Sequence, residues 1–102
     1  MLSKPTGNTG LYPLTTSTGT VNVATLLSGP EYTSAKLPAT KVRVAVTQPA
    51  VINFGTNVAD NNSDILVPAG HVEHFAMQAT TTVTYVLLSG ASAGYISITP
   101  VA

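Results

Sequence analysis

From Lys41 to Thr47 the chain alternates strictly, with Val42, Val44 and Val46 pointing one way and Lys41, Arg43, Ala45 and Thr47 the other. The same two-residue period returns at Tyr95-Ile96-Ser97-Ile98-Thr99. Successive side chains of a strand point to opposite faces, so a period of two specifies a strand with one buried face. The runs end at turn residues: Ser28-Gly29-Pro30, Pro49, Pro68-Ala69-Gly70, Gly90, Gly94 and Pro100. No apolar period of three to four is sustained long enough for a useful helix. The chain is therefore expected to be all-β.

In chain order, Thr20 to Leu27 is β-branched and reads as the first strand. Glu31 to Thr40 is a connection with room for a short strand near Tyr32. Lys41 to Thr47 is a strand, ended or marked as an edge by Pro49, and Val51 to Gly55 resumes as another. Asn57 to Ser63 is an exposed loop of residues that bond their own backbone. Asp64 to Val67 is a short strand leading into a turn. In His71 to Gln78 the larger residues Phe75 and Met77 go inward, leaving Val72, His74 and Ala76 on the other face.

The run His71 to Thr99 carries the densest apolar alternation and is expected to fold back at Ser89 to Gly94 as a central β-hairpin. Val83, Tyr85 and Leu87 would then face Ile96 and Ile98, with Pro100 ending the last strand. About seven strands separated by turn signals indicate a sandwich or barrel. The expected form is a small antiparallel β-sandwich, jelly-roll-like.

Residues 1–19 differ from the rest. They are rich in Thr, Ser, Gly and Pro, and their main apolar cluster is Leu11-Tyr12-Pro13-Leu14. Gly7, Gly10, Pro13 and Gly19 exclude a helix of useful length. The segment reads as an extended N-terminal arm, either disordered or held by a neighbour, with residues 20–102 forming the single sandwich domain. If it is held, Leu11, Tyr12 and Leu14 are the anchors.

Charge narrows the function. Only 8% of the 102 residues are charged, four basic and four acidic, and the formal net charge is zero. Mean hydropathy is +0.31. A folded monomer of this mass has about 5,400 Å² of surface, so one formal charge serves about 700 Å². Without net charge to keep copies apart, much of that surface is expected to be covered by further copies or by another protein. The few cations, Lys4, Lys36, Lys41 and Arg43, argue against nucleic acid, whose binding rests on phosphate neutralisation. No apolar run approaches the roughly 20 residues needed to cross a bilayer. The start Met1 to Pro5 shows no apolar signal core, so synthesis in the cytoplasm is expected. There is no cysteine, which removes disulfides, thiolate metal sites and cysteine nucleophiles.

The nearest approach to a chemical motif is His71-Val72-Glu73-His74. On a strand, His71 and Glu73 share a face and His74 takes the other, so the three do not converge on one ion without a bulge. The helical H-E-x-x-H spacing is absent, and the H-x-E of zinc deaminases lacks its cysteines. A polar strand end at the rim of the sheet is the preferred reading. Asp60 and Asp64 lack the dense oxygen ligands of a calcium loop. No G-x-S-x-G elbow is present, and Gly90 and Gly94 precede no helix that would cradle phosphate. Tyr12, Tyr32, Tyr85 and Tyr95 are the material for a sugar-stacking platform, although scattered tyrosines more often pack in cores and interfaces. No catalytic residue, cofactor or metal is assigned.

From about Lys41 onward, Pro49 to Gly55, Asp64 to Phe75 and Gly94 to Pro100 resemble the small β-rich virion proteins of tailed bacteriophages. The resemblance implies a non-enzymatic component present in many copies, decorating and cementing a capsid or sitting in the neck or tail. The implied partners are further copies of the chain and other virion proteins, the major capsid protein first, with no nucleic acid, membrane or small-molecule substrate. Its place would be the virion. The competing readings are a glycan-binding module using the tyrosines and the Asn57 to Ser63 loop, and a cupin-like metal enzyme using His71, Glu73 and His74.

Overall fold

The computed structural model describes residues 5–27, 39–55, 65–78 and 82–101. Their strands are β1 (Gly10–Leu14), β2 (Gly19–Asn22), β3 (Ala39–Val46), β4 (Ala50–Phe54), β5 (Ile65–Val67), β6 (Val72–Gln78), β7 (Thr82–Leu87) and β8 (Gly94–Val101). They form two four-stranded antiparallel sheets, ordered β1-β8-β3-β6 and β2-β7-β4-β5. Pairing runs β1 with β8, β2 with β7, β3 with β6 and β4 with β5, as if one long hairpin had been rolled up. Eight strands in two sheets with this nesting are a jelly roll.

The alternation seen in the sequence sets the two inner faces. Val42, Val44 and Val46 of β3 lie opposite Pro100, Ile98 and Ile96 of β8, and all six side chains are buried. The second sheet supplies Val83, Tyr85 and Leu87 of β7, Ala50 and Ile52 of β4, and Val67 of β5. An aromatic pair closes each side of the sandwich. Tyr12 of β1 stacks on Tyr85 of β7 with ring centroids 6.1 Å apart, and Phe54 of β4 meets Phe75 of β6 at 5.2 Å. Gly19 lies opposite Tyr85, and a Cβ there would fall inside the ring.

Several expectations need correcting. The run His71 to Thr99 does not fold back at Ser89 to Gly94 as a hairpin, because β7 lies in the second sheet and β8 in the first. The connection 88–93 is long enough to cross the roughly 10 Å between sheets. Leu88 C=O accepts from Ala91 N–H at 3.0 Å, and Gly90 takes the positive φ of 88° that this turn needs. Val83, Tyr85 and Leu87 do share one core with Ile96 and Ile98, but across the sandwich.

Pro100 does not end the last strand. In a strand the N–H and C=O of one residue face the same side, and Pro100 C=O accepts from Thr6 N–H at 2.9 Å, away from β3. Its missing N–H therefore costs the β3 ladder nothing. The first strand stops at Asn22, earlier than Leu27, because the Asn22 side chain accepts from Ala24 N–H at 3.1 Å and caps a single 3-10 turn, Val23–Thr25.

The extended arm is corrected over its described part. Gly10 to Leu14 pair with Ile98 to Gly94 as an edge strand of the first sheet. Ahead of them, Asn8 N–H bonds Leu26 C=O at 2.7 Å, and the Thr9 and Thr99 hydroxyls are 2.8 Å apart. The physical reason is in β1 itself: Tyr12 and Leu14 have parity to face inward, and β8 has an unpaired side to accept them. The expectations for Tyr32, the Asn57 to Ser63 loop, Asp60 and Asp64 lie outside the described residues.

Burial and the neighbouring Tyr12 raise the Tyr85 hydroxyl pKa above its ordinary value of 10.0, burial contributing more. The folded state then holds that proton after the unfolded chain has lost it. Stability linked to Tyr85 is complete below pH 10 and falls as pH rises through the raised value. Denaturant titrations across this alkaline range are expected to show the fall in the parent protein and less of it in Tyr85→Phe.

Candidate functional site

The cross-strand registers place the outward residues of the first sheet in rows. One row runs Leu11, Ser97, Ala45, Val72 across β1, β8, β3 and β6. The next, on one side, is Pro13 with Tyr95; on the other it is Thr99, Arg43, His74. The first row has small side chains in the middle and larger ones at its two ends, on the edge strands β1 and β6.

Leu11 is 66% exposed, Tyr95 55% and Val72 41%. These are three of the five large hydrophobic side chains left exposed among the described residues; the other two, Ile65 and Leu66, sit together on β5. Leu11 and Tyr95 are diagonal neighbours on the paired strands β1 and β8, while Val72 lies on the opposite edge strand; scattered apolar residues are normal on a surface, and it is the adjoining pair that marks a contact face. Lys41 and Arg43 lie on the same face of β3 as Ala45, giving the patch a basic margin.

The three anchors expected in the arm separate. Leu14 is fully buried in the core, and Tyr12 is held against Tyr85. Only Leu11 faces outward, where a partner can reach it. Sequence reasoning chose these residues for hydrophobicity alone; the parity of β1 divides them. Sequence reasoning read Val72 only as an outward residue of its strand and Tyr95 only as material for a sugar-stacking platform; Tyr95 comes beside Leu11 through the pairing of β8 with β1, and Val72 shares the row of Leu11 through β3 and β8.

His71, Glu73 and His74 do not form a site. His71 follows the turn in which its N–H bonds Pro68 C=O at 3.1 Å, and Gly70 supplies the positive φ of 75°. Glu73 lies opposite inward-facing Val44, and His74 opposite Arg43 on the outer face. Among the described residues no group of three or more His, Asp or Glu is placed to hold a metal ion. The described tyrosines do not make a common platform either, since Tyr12 and Tyr85 pack between the sheets while Tyr95 is on the outer face.

Neither protein-family models nor curated protein sequences match this chain. A solved structure of similar fold is the coat protein of Tobacco streak virus. It is 9% identical in sequence, with a TM-score of 0.51 over 93% of this chain and 86% of that one. At this identity the likeness is one of fold: an all-β sandwich of two sheets.

Proposed function

We propose that this chain is a non-enzymatic virion structural protein that decorates and cements a capsid lattice in many copies, with the major capsid protein as its partner. The observation that carries the reading is the outer face of the first sheet, where Leu11 and Tyr95 are exposed on the paired strands β1 and β8, with Val72 exposed at the far edge, on a body with eight formal charges. Fold likeness to a viral coat protein supports it. So does the resemblance of Pro49 to Gly55, Asp64 to Phe75 and Gly94 to Pro100 to small virion proteins of tailed bacteriophages. In this role the sheet face meets the lattice, and covering its apolar side chains supplies adhesion at about 25 cal/mol per Å² removed from water.

The experiment is quantitative mass spectrometry and cryo-electron microscopy of purified particles from cells that make the protein. Many copies on the head are expected, with the Leu11 and Tyr95 face turned toward the capsid protein. The double variant Leu11→Asp, Tyr95→Asp should fold normally, since both side chains are exposed, and its copy number per particle should fall at least about tenfold. Absence of the chain from purified particles, or unchanged incorporation of the variant, defeats the proposal.

A further inference from the structure

The sandwich has four outermost strands among its described residues: β1 and β6 in one sheet, β2 and β5 in the other. An unpaired strand edge is a template for another strand unless it is short or interrupted. Three of these edges are limited by their own sequence. β1 has five residues with Pro13 among them, β2 has four and runs into the capped 3-10 turn, and β5 has three. β6 is seven residues long, Val72–Gln78, with no proline, glycine or lysine.

Its hydrogen-bonding phase is fixed. His71 C=O accepts from Val46 N–H at 3.4 Å, so with the β3 register the backbone groups of Glu73, Phe75 and Met77 face β3. Those of Val72, His74 and Ala76 face away, where no described strand pairs with them.

We infer that β6 pairs antiparallel with β6 of a second copy about a two-fold axis through Phe75, joining the two first sheets into one of eight strands. This rests on the chain's reading as a lattice protein and names the contact between copies. Residues directly opposite in an antiparallel pair share a face, so an allowed centre must keep inner residues opposite inner ones. Centring on Phe75 overlaps all seven residues. It sets Phe75 against the partner copy's Phe75, Glu73 against Met77 and His74 against Ala76. No like charges oppose each other, and Glu73, the one carboxylate of the strand, is a single residue from its end. Phe75 is only partly buried in one copy, and the two-fold brings a second ring to its open side. Centring on His74 would put imidazole against imidazole and shorten the overlap. With zero net charge, nothing long-ranged opposes approach of a second copy. A seven-residue edge about 24 Å long is a smaller contact than the ~800 Å² per partner of a stable free dimer. The pair therefore forms at high local concentration, as in a lattice.

Because the chain has no cysteine, engineered ones report the register directly. The double variant His74→Cys, Ala76→Cys places each new thiol opposite its complement at about 5.5 Å between Cα atoms, within disulfide reach. Either single variant leaves like positions diagonal, at about 7–8 Å, too far for ready closure. Mild oxidation of concentrated protein should yield covalent dimers of the double variant at least about tenfold faster than of either single variant. Ala76→Pro removes an N–H that faces away from β3, so the monomer should keep its strand spectrum and melting point while self-association by sedimentation disappears.

Equal cross-linking of the three cysteine variants, cross-linking to a different protein, or unchanged association of folded Ala76→Pro overturns the inference. Particle binding separates this from the function above. Normal incorporation of Ala76→Pro with no dimer cross-link refutes the β6 pair and leaves the lattice role standing; dimers of a chain absent from particles refute the lattice role alone.

Discussion

A chain beginning at Thr20 is expected to lose its cooperative fold. The truncation removes β1, its ladder of five residue pairs with β8, and the first residue of β2. Leu14, fully buried, goes with it, as does the Tyr12 ring stacked on Tyr85. Full burial of a large apolar side chain contributes about 1.5–3 kcal/mol, and a typical internal hydrogen bond about 0.5–1.5 kcal/mol. The inner-facing Ile96 and Ile98 of β8 would also lose their β1 neighbours, Tyr12 and Gly10. Together these losses reach the scale of the whole stability of a small domain, about 5–15 kcal/mol. Circular dichroism and urea titration of the truncated chain should show no sigmoidal transition. Leu11→Ser is the control: that side chain is exposed, and its replacement should move stability by about 0.5 kcal/mol or less. A truncated chain that melts like the parent would mean β1 is dispensable, as an arm would be.

Ile98→Ala is expected to be the most damaging of the conservative core substitutions. Ile98 is fully buried, with Gly10 opposite on β1 and Val44 opposite on β3, in the middle strands of the first sheet. Gly10 has no side chain, the Tyr12 ring that lies over it is held against Tyr85, and the strands on both sides are held by ladder bonds, so collapse around the cavity is limited. Removing a buried isoleucine to alanine costs about 2–5 kcal/mol, and this site belongs at the upper end. The melting point should fall on the order of 10–30 °C. Ile65→Ala, at an exposed position on β5, should lower it by a few degrees at most. Differential scanning calorimetry of the two variants decides the point; equal shifts would show that the core is not where the burial pattern puts it.

These outcomes trace back to different levels of information. The strands were legible because their signal is local: Val42, Val44 and Val46 report β3 by spacing alone, and Pro68-Ala69-Gly70 reports the turn whose Gly70 has positive φ. The inward direction of Phe75 and Met77 was legible from parity together with their size, and both pack against the core. The arm was misread because β1 is short and holds Pro13, and its value lies in a partner strand more than eighty residues away. The proposed contact face was legible only in Leu11. Leu11 and Tyr95 become neighbours only after β1 and β8, from opposite ends of the chain, have paired, and Val72 joins their face from the far edge strand.

By itself the sequence determined the strand class, the turn at Pro68-Ala69-Gly70 and the inward faces of β3, β7 and β8, since these follow from the geometry of a few consecutive residues. Tertiary structure alone decided which sheet each strand joined. The alternation of Val83, Tyr85 and Leu87 with Ile96 and Ile98 serves equally well for hairpin partners or for opposite faces of a sandwich. The choice falls to the second because β8 pairs with both β1 and β3, burying apolar residues on all three strands, and a hairpin with β7 would occupy one of those two sides.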